Sequence, residues 1–507
     1  MWAESIIARL PFALVIWVLF LGLRSIYRLS FHPLRHIPGP KLAAVTHLYE
    51  FYFDVICRGR YIWQIQKLHA KYGPIIRISP REIHIADASF YDEIYAPSSR
   101  IRDKDAKWVP TFGLSQSMLS TVGHRQHRVR RSLLSSFFSK KSVLEIGPLI
   151  ERQIAKLSHR LKNLHSTQEV VQLDAAFVAL TSDIISAYCY GESGNFLDNP
   201  GFRSDIRASV IDATAICHLV RFFPFLPPLL QQIPETLMRK FMPGKIAIIN
   251  FQRSLAANAV QALRGERKVG TDQDTMYDRL INEAVPCEER TLGRIQDESS
   301  LVLAAGTETT GRILTVAIYY LSKDQSILRK LRAELKTVLP SPTASVTWVQ
   351  LEQLPYLTAV VRESLRLGMG ITCRLPRVAP NEVLQYGKYH IPAGTPMSTC
   401  TMLVQRNPDM FPDPDRFDPE RWITDGQVDN KLMKYLVSFT RGSRMCLGIN
   451  LAYSELYLLI SHLVRQFTFE ICNTSDDDVR ITRDMMVGYT RRGDLQVYAK
   501  VAKVIEE

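Results

Sequence analysis

A mainly helical fold with small β-sheets, standing behind one amino-terminal transmembrane helix, is what this sequence predicts. Three observations carry that prediction. The chain opens on an apolar run from Ile6 to Leu23, which at helical rise is about 27 Å long, close to the minimum that spans a bilayer core. Thr291 to Lys323 reads as one helix about 48 Å long. Its segment Leu301 to Ala305 is apolar all round, so its middle is buried. Strand-like alternation is confined to short stretches, the clearest being Ile75–Ile78 and Glu82–Ala86 with a turn near Pro80.

The 507 residues are 46% hydrophobic, enough for a substantial core, and carry 63 Lys+Arg against 50 Asp+Glu, a net charge of +13. A basic surface meets nucleic acid, anionic lipid or an acidic protein. No nucleic-acid motif accompanies the charge, so lipid and an acidic protein are the expected partners. The eight cysteines (57, 189, 217, 287, 373, 400, 446 and 472) include no Cys-x-x-Cys pair. That spacing argues against a zinc site and a disulfide framework, and for a reducing compartment around the main body.

Arg24, Arg28, Arg35 and Lys41 follow the first apolar run and Glu4 precedes it. The positive-inside bias therefore puts the bulk of the chain in the cytosol. No small-x-small site marks a cleaved signal peptide, while Arg9 and Pro11 leave an interfacial helix open as an alternative. The proline-rich stretch His32–Pro40 cannot continue a helix and reads as a stiff hinge. These signals divide the chain into an anchor at 1–30, a hinge at 31–40 and one domain at 41–507.

Within that domain, Asp105–Ser120 is turn-rich and reads as a loop. His124–Arg131 is a basic helix on which His127 and Arg131, four apart, share a face. Arg125, Arg128, Arg130, Lys140 and Lys141 are expected to face outward. Phe222–Leu230 is apolar but too rich in proline for a strand or a long helix; it reads as a membrane or ligand surface or as a buried crossing loop. Inside the long helix stands Ala305-Gly306-Thr307-Glu308-Thr309-Thr310. Glycine and threonine are poor helix formers, and hydroxyls bonding back to carbonyls loosen a turn. Glu363 and Arg366 share a face of a helix beginning near Leu354, and Arg421 lies downstream in Phe417–Trp422. Cys373–Val378 and Met397–Val404 read as strands.

The stretch Phe439-Thr-Arg-Gly-Ser-Arg-Met-Cys-Leu-Gly448 leads into the amphipathic run Ile449–Phe467. A thiolate at Cys446 would sit at a helix N-terminus beside a basic residue, where its pKa is lowered. Gly448 would let a flat ligand approach, Arg444 would reach an anionic group on it, and Phe439 would shield the sulfur. The stretch resembles the haem-binding signature of the cytochrome P450 superfamily, Phe-x-x-Gly-x-Arg-x-Cys-x-Gly, at every fixed position.

The resemblance covers nearly the whole chain and implies a single mainly helical catalytic domain with small sheets at one side, behind the anchor. It implies haem b bound through Cys446, with His127, Arg131, Arg377 and Arg444 toward its propionates, and with Phe439 and Gly448 against the ring. His127 stands where the family has tryptophan. Glu308 would relay protons and Thr309 would hold dioxygen during its activation. Glu363, Arg366 and Arg421 would form a buried structural triad. An NADPH-cytochrome reductase would supply electrons at the endoplasmic reticulum membrane, since no flavin or nicotinamide fingerprint is present in the chain.

His-Pro-Leu, Pro-Gly-Pro-Lys-Leu-Ala-Ala and Arg-Leu-Pro-Arg-Val-Ala-Pro are similar to filamentous-fungal members, particularly the trichodiene oxygenase group. The implied reaction is oxygen insertion into a lipophilic secondary metabolite, with a terpenoid as first choice. Val302, Ala305, Ile371, Met485, Met486 and Val487 are expected as the apolar pocket wall, with Thr372 as its one hydroxyl. Gly368-Met369-Gly370 departs from the family pattern there. A reductase-independent haem-thiolate isomerase or dehydratase, and a non-catalytic haem-binding membrane protein, are the alternatives; the intact Glu308–Thr309 pair speaks against the first. Asn473-Thr-Ser fits a glycosylation pattern but falls in the cytosolic part.

Overall fold

The computed structural model describes residues 2–202, 205–231 and 274–506, with isolated positions between 232 and 273. Helix α1 spans Trp2–Ile26. The segment Pro11–Phe31, with mean hydropathy 1.7 and no part of it buried, is long and apolar enough to cross a membrane. The proline-rich stretch that follows is packed down against the body of the chain. Leu34 and Ile37 sit in a core cluster with Ile75 and Ile83. The Arg77 N–H donates to Pro38 O at 2.7 Å, and Arg77 Nη1 donates to Arg28 O at 2.8 Å.

Past the hinge come the short helix α2 (Leu48–Phe51) and a π-helical turn, Tyr52–Ile56. The principal helices are then α3 (His124–Ser135), α4 (Gly147–Thr167), α5 (Leu173–Tyr190), α6 (Asp205–Ala215), α7 (Cys217–Phe222), α8 (Leu292–Lys323), α9 (Pro355–Gly368) and α10 (Ile449–Gln466). At the centre α8 lies against α5, and two glycines make that approach possible. A Cβ at Gly306 would stand 2.7 Å from Ile185, and one at Gly311 would stand 2.8 Å from Val178. Thr181 Oγ1 donates to Thr307 O across the same seam at 2.7 Å. The threonine-rich turn therefore does not interrupt α8, because tertiary packing supplies what propensity lacks. Thr291 caps the helix, accepting from Arg294 N–H.

Five short strands form the larger sheet: β1 (Ile75–Arg77), β2 (Ile83–Ile85), β3 (Asp103–Lys104), β4 (Arg377–Val378) and β5 (Pro396–Ser398), in the order β1-β2-β5-β4-β3. Its one parallel pairing, β2 with β5, sets Ile83 opposite Met397. Val171–Gln172, Phe467–Cys472 and Tyr498–Val504 make a second sheet. Two expectations need correction. The stretch expected as a loop, 105–120, contains a 3-10 helix, Ala106–Phe112, nucleated by burial of Trp108. The strand expected over Met397–Val404 ends at Ser398 and turns into a short helix, Thr401–Gln405, which carries Gln405 inward.

Candidate active site

The loop ahead of α10 is shaped by contacts that only some residues allow. Gly442 has φ +72°, and a Cβ there would stand 2.1 Å from Tyr95 O and 2.3 Å from Ala96 O. The Cys446 N–H donates to Phe439 O at 2.9 Å, which closes the loop on itself. Phe439 is partly buried against Tyr453, with ring centroids 5.2 Å apart. Gly448 caps α10, and a Cβ there would project into open space. Cys446 itself is reached by solvent although protein encloses it. The expected lowering of its thiol pKa is not what the structure gives. Burial pushes the thiol up, outweighing the Gly448 N–H and Arg131, which pull it down.

Five basic side chains converge beside this loop. Arg444 donates to Thr121 O at 2.6 Å, Val122 O at 2.5 Å and Arg102 O at 3.3 Å. Arg131 donates to Met445 O at 2.7 Å, and Arg377 to Leu375 O at 2.9 Å. Lys104 of β3 reaches Leu119 O and lies over the Phe112 ring. His127 is buried, with Nδ1 lacking any partner among the described residues. Its pKa is pushed down to about 2, first by burial and then by Arg444, Lys104, Arg131 and Arg377. Burial and Arg377 likewise push Arg444 down to about 9. Among the described residues these cations donate to backbone carbonyls, and no carboxylate pairs with them. Lys104 was not anticipated; a lysine in a two-residue strand carries no sequence signal.

Glu308 and Thr309 turn to different surroundings. Thr309 Oγ1 donates to Ala305 O at 2.8 Å, and Ala305 is exposed in the middle of an otherwise buried helix. Glu308 is buried, with Arg207 Nε of α6 at 3.8 Å. Burial pushes its carboxyl up, while Arg207 and Arg312 pull it down. Arg207 also binds Asp174 at 2.6 Å and stands 3.5 Å from Asp494.

Glu363, Arg366 and Arg421 are brought together. Arg366 grips Glu363 with two hydrogen bonds of 2.8 Å. Arg421 Nε donates to the same carboxylate at 3.1 Å, Trp422 Nε1 at 2.9 Å and the Asp418 N–H at 2.8 Å. A residue the sequence did not single out links this group to the cysteine loop. Arg366 donates to Gln405 O at 3.0 Å, and Gln405 Oε1 accepts from the Val437 N–H at 2.7 Å and Ser438 Oγ at 3.0 Å.

Of the expected pocket wall, Val302, Met485 and Val487 are buried and Ile371 pairs with Val487. Gly370 lies beside Thr309. Thr372 does not present its hydroxyl to that wall, because Oγ1 donates to Asp484 at 2.8 Å. Of the charges expected outward on α3, Arg125 and Arg128 are exposed, but Arg130 is drawn in by Glu289 at 2.8 Å. Phe222 closes on Phe51, and Phe225 and Leu229 are exposed.

A cradle of uncompensated cations, an orphaned imidazole nitrogen and a reachable thiol before a glycine-capped helix fit a flat, dianionic, thiol-ligated ring. The chain belongs to the cytochrome P450 family, whose profile matches residues 41–495. It is 44% identical over 474 residues to the conidiogenone synthase PchP450 of Penicillium rubens, an alignment covering 93% of this chain and 95% of the relative. The cytochrome P450 monooxygenase TRI4 of Trichoderma arundinaceum is 38% identical over 480 residues, covering 95% and 93%. The monooxygenase claJ of Penicillium crustosum is 43% identical over 437 residues, covering 85% and 99%. Family membership makes haem iron the cofactor and monooxygenation the reaction class, served by a reductase and lipophilic substrates.

Proposed function

We propose that the chain holds haem b through the Cys446 thiolate and inserts one oxygen atom of O₂ into a lipophilic secondary metabolite of terpenoid type. The convergence of Lys104, Arg131, Arg377 and Arg444 around a neutral His127, with no carboxylate hydrogen-bonded to them among the described residues, carries this reading, because buried like charges are tolerable only with anions supplied. When bound, a thiolate-ligated haem supplies O–O cleavage, favoured by electron density from the sulfur. The residues divide the remaining work. Arg444, Arg377, Arg131 and His127 bind and orient the carboxylates. Phe439 covers the sulfur from water, and Gly448 keeps the helix end clear. Thr309 holds a proton at Oγ1 on the open side of α8, and Glu308 exchanges protons behind it through the Arg207 cluster. Glu363, Arg366 and Arg421, acting through Gln405, hold the cysteine loop in place.

The substrate class rests on a wall that is apolar apart from Thr309, which selects by shape and burial at about 25 cal/mol per Å². A relative named for the synthesis of conidiogenone supports a small organic metabolite as the substrate. Residues 1–30 are read as the anchor in the endoplasmic reticulum, 31–40 as the hinge and 41–507 as the cytosolic catalytic domain, with an NADPH-cytochrome reductase as electron donor. The deciding experiment is the carbon monoxide difference spectrum of the reduced protein. Wild type is expected to give the thiolate-type band and Cys446→Ala to lose it. A persisting band in the variant rules out Cys446 as the ligand.

A further inference from the structure

Arg312, in the middle of α8, is a buried cation that the chemistry above leaves unused. The residue is 1% exposed, and its Nε and Nη2 have no hydrogen-bond partner among the described residues. Arg366 and Arg374 are as deeply buried, and each holds a carboxylate, Glu363 at 2.8 Å and Glu50 at 2.5 Å. A guanidinium taken out of water and left alone is costly, so a counter-charge that can come to it is the thing to look for.

Glu308 lies four residues earlier on the same helix. Side chains four apart share a face, with Cβ atoms about 5–6 Å apart, and an acid ahead of its base is the favourable order. Glu308 is buried too, and its Oε2 has no hydrogen-bond partner among the described residues. The one ion pair it makes among them is with Arg207 Nε at 3.8 Å, too long for a hydrogen bond. Arg207 is engaged elsewhere, since Nη2 donates to Asp174 at 2.6 Å and Leu495 O at 3.1 Å and stands 3.5 Å from Asp494. The other groups around the pair are Asp174, Asp494 and Tyr489. Asp174 also accepts from the Val497 N–H at 2.7 Å, and the Tyr489 hydroxyl lies 3.0 Å from Thr214 Oγ1 of α6. As the two side chains stand, burial disfavours both charges, pushing Glu308 up and Arg312 down.

A protonated Glu308 has no need of a cation, whereas an ionised one in this interior does. A change of its side-chain rotamer carries the carboxylate along the helix face toward the free donors of Arg312, where charge-assisted hydrogen bonds become available. We propose that Arg312 is the seat of the Glu308 carboxylate, a positioning residue that receives the side chain when it gives up its proton. The side chain leaves that seat when a proton returns. The step breaks and remakes one O–H bond of Glu308 and transfers no electrons. The proposal rests on the reading of Glu308 as the acid that exchanges protons behind Thr309, and adds the residue that fixes where its charged form sits.

The test is an infrared titration of the Glu308 carboxyl in full-length haem-loaded protein, with its C=O band assigned by its loss in Glu308→Gln. Losing a cation disfavours the carboxylate, so the proton is held to higher pH. Arg312→Met, which keeps bulk and removes charge, is expected to raise the Glu308 midpoint by about 1–3 pH units, the effect of an opposite charge at close range. Arg312→Lys, which keeps the charge, is expected to return at least half of that shift. A merely structural arginine would move Tm and leave the midpoint alone. Should Arg312→Met fail to load haem, Arg312→Gln carries the same comparison. A midpoint within about half a unit of wild type in the uncharged variant overturns the seat. So does a shift that Arg312→Lys restores no better than Arg312→Gln. With an NADPH-dependent reductase present, an unchanged partition of electrons between peroxide and water in Glu308→Gln would refute the proton role of Glu308 instead, so the two failures are distinguishable.

Discussion

Two clusters of buried arginines lie within one connected site and are handled in opposite ways. At Glu363 one carboxylate accepts from Arg366 twice, from Arg421, from the Trp422 indole and from the Asp418 N–H, so every charge meets its complement inside the chain. Beside the cysteine loop, Lys104, Arg131, Arg377 and Arg444 crowd round the imidazole of His127, and among the described residues they donate only to carbonyls. The first arrangement is complete as folded. The second would be completed by anions, which is the asymmetry expected between a cluster that holds the fold and one proposed to hold a ligand.

Removing charge should therefore have opposite consequences at the two places. Glu363→Ala takes from two buried guanidiniums the carboxylate they share, leaving Arg366 with carbonyls alone and Arg421 with Asp418 at 4.0 Å. It is expected to cost about 3–5 kcal/mol, read as a fall in Tm and a small haem-loaded yield. Arg444→Met, with the same bulk and no charge, is expected to leave the haem-free protein as stable as wild type or more so, while haem transfers faster to an acceptor globin. A large loss of haem-free stability in Arg444→Met would break the comparison.

The cradle can also be probed by acid. His127 has its pKa at about 2 in the folded, haem-free chain, below its ordinary value of 6.5. Between those values the unfolded chain takes up a proton that the folded chain refuses, so stability falls as pH falls below about 6.5. The loss from pH 6.5 to 5 is expected to be about 2 kcal/mol, measured by urea unfolding of the haem-free protein. His127→Gln should flatten that slope, and haem should flatten it too by supplying carboxylates. A slope that persists in His127→Gln would assign the acid sensitivity elsewhere.

A smaller effect is expected where the two clusters are joined. Gln405→Leu strands the Val437 N–H and leaves the Ser438 hydroxyl with Leu365 O alone. It should cost about 1–3 kcal/mol and accelerate haem loss without touching either cluster directly. Unaltered haem retention in this variant would mean that the cysteine loop holds its shape alone.

What the sequence made legible, and what it hid, follows the same division. Fixed spacings such as Glu363–Arg366 and the ten residues ending at Gly448 encode contacts within one helix or loop, so they could be read directly. Lys104 and Gln405 act through the tertiary fold, one from a two-residue strand and the other from a one-turn helix expected to be a strand. Local pattern is silent about both. Thr372 was misplaced for a related reason, since alternation gives the face of a strand but not the Asp484 that claims the hydroxyl. The long helix was recognisable from its apolar run, yet the role of Gly306 and Gly311 was not, because it depends on α5 lying against them.

Exposed cations form a third class that sharpens the contrast, and α3 carries two classes within three residues. Arg128 is exposed. Arg130 is committed, with Nε to Glu289 at 2.8 Å and Nη1 to Gln116 O and Thr121 Oγ1 at 2.9 Å each. Glu289 is buried and keeps Arg294 as a second partner at 3.1 Å, so its charge is not stranded when Arg130 is lost. Arg130→Ala is accordingly expected to cost about 1–3 kcal/mol, below the figure for Glu363→Ala. Arg128→Ala is expected to stay within about 0.5 kcal/mol of wild type, since a solvated charge is given up without stranding a partner. Its effect should appear instead in encounter with an acidic electron donor, where rim charges govern association rate and its salt dependence. Reduction of the haem-loaded protein by an NADPH-dependent reductase, followed across a salt series, should slow by a few-fold in Arg128→Ala at low salt and converge on wild type at high salt. Equal reduction rates at low salt would remove α3 from the docking face and leave its exposed arginines as solubility charges.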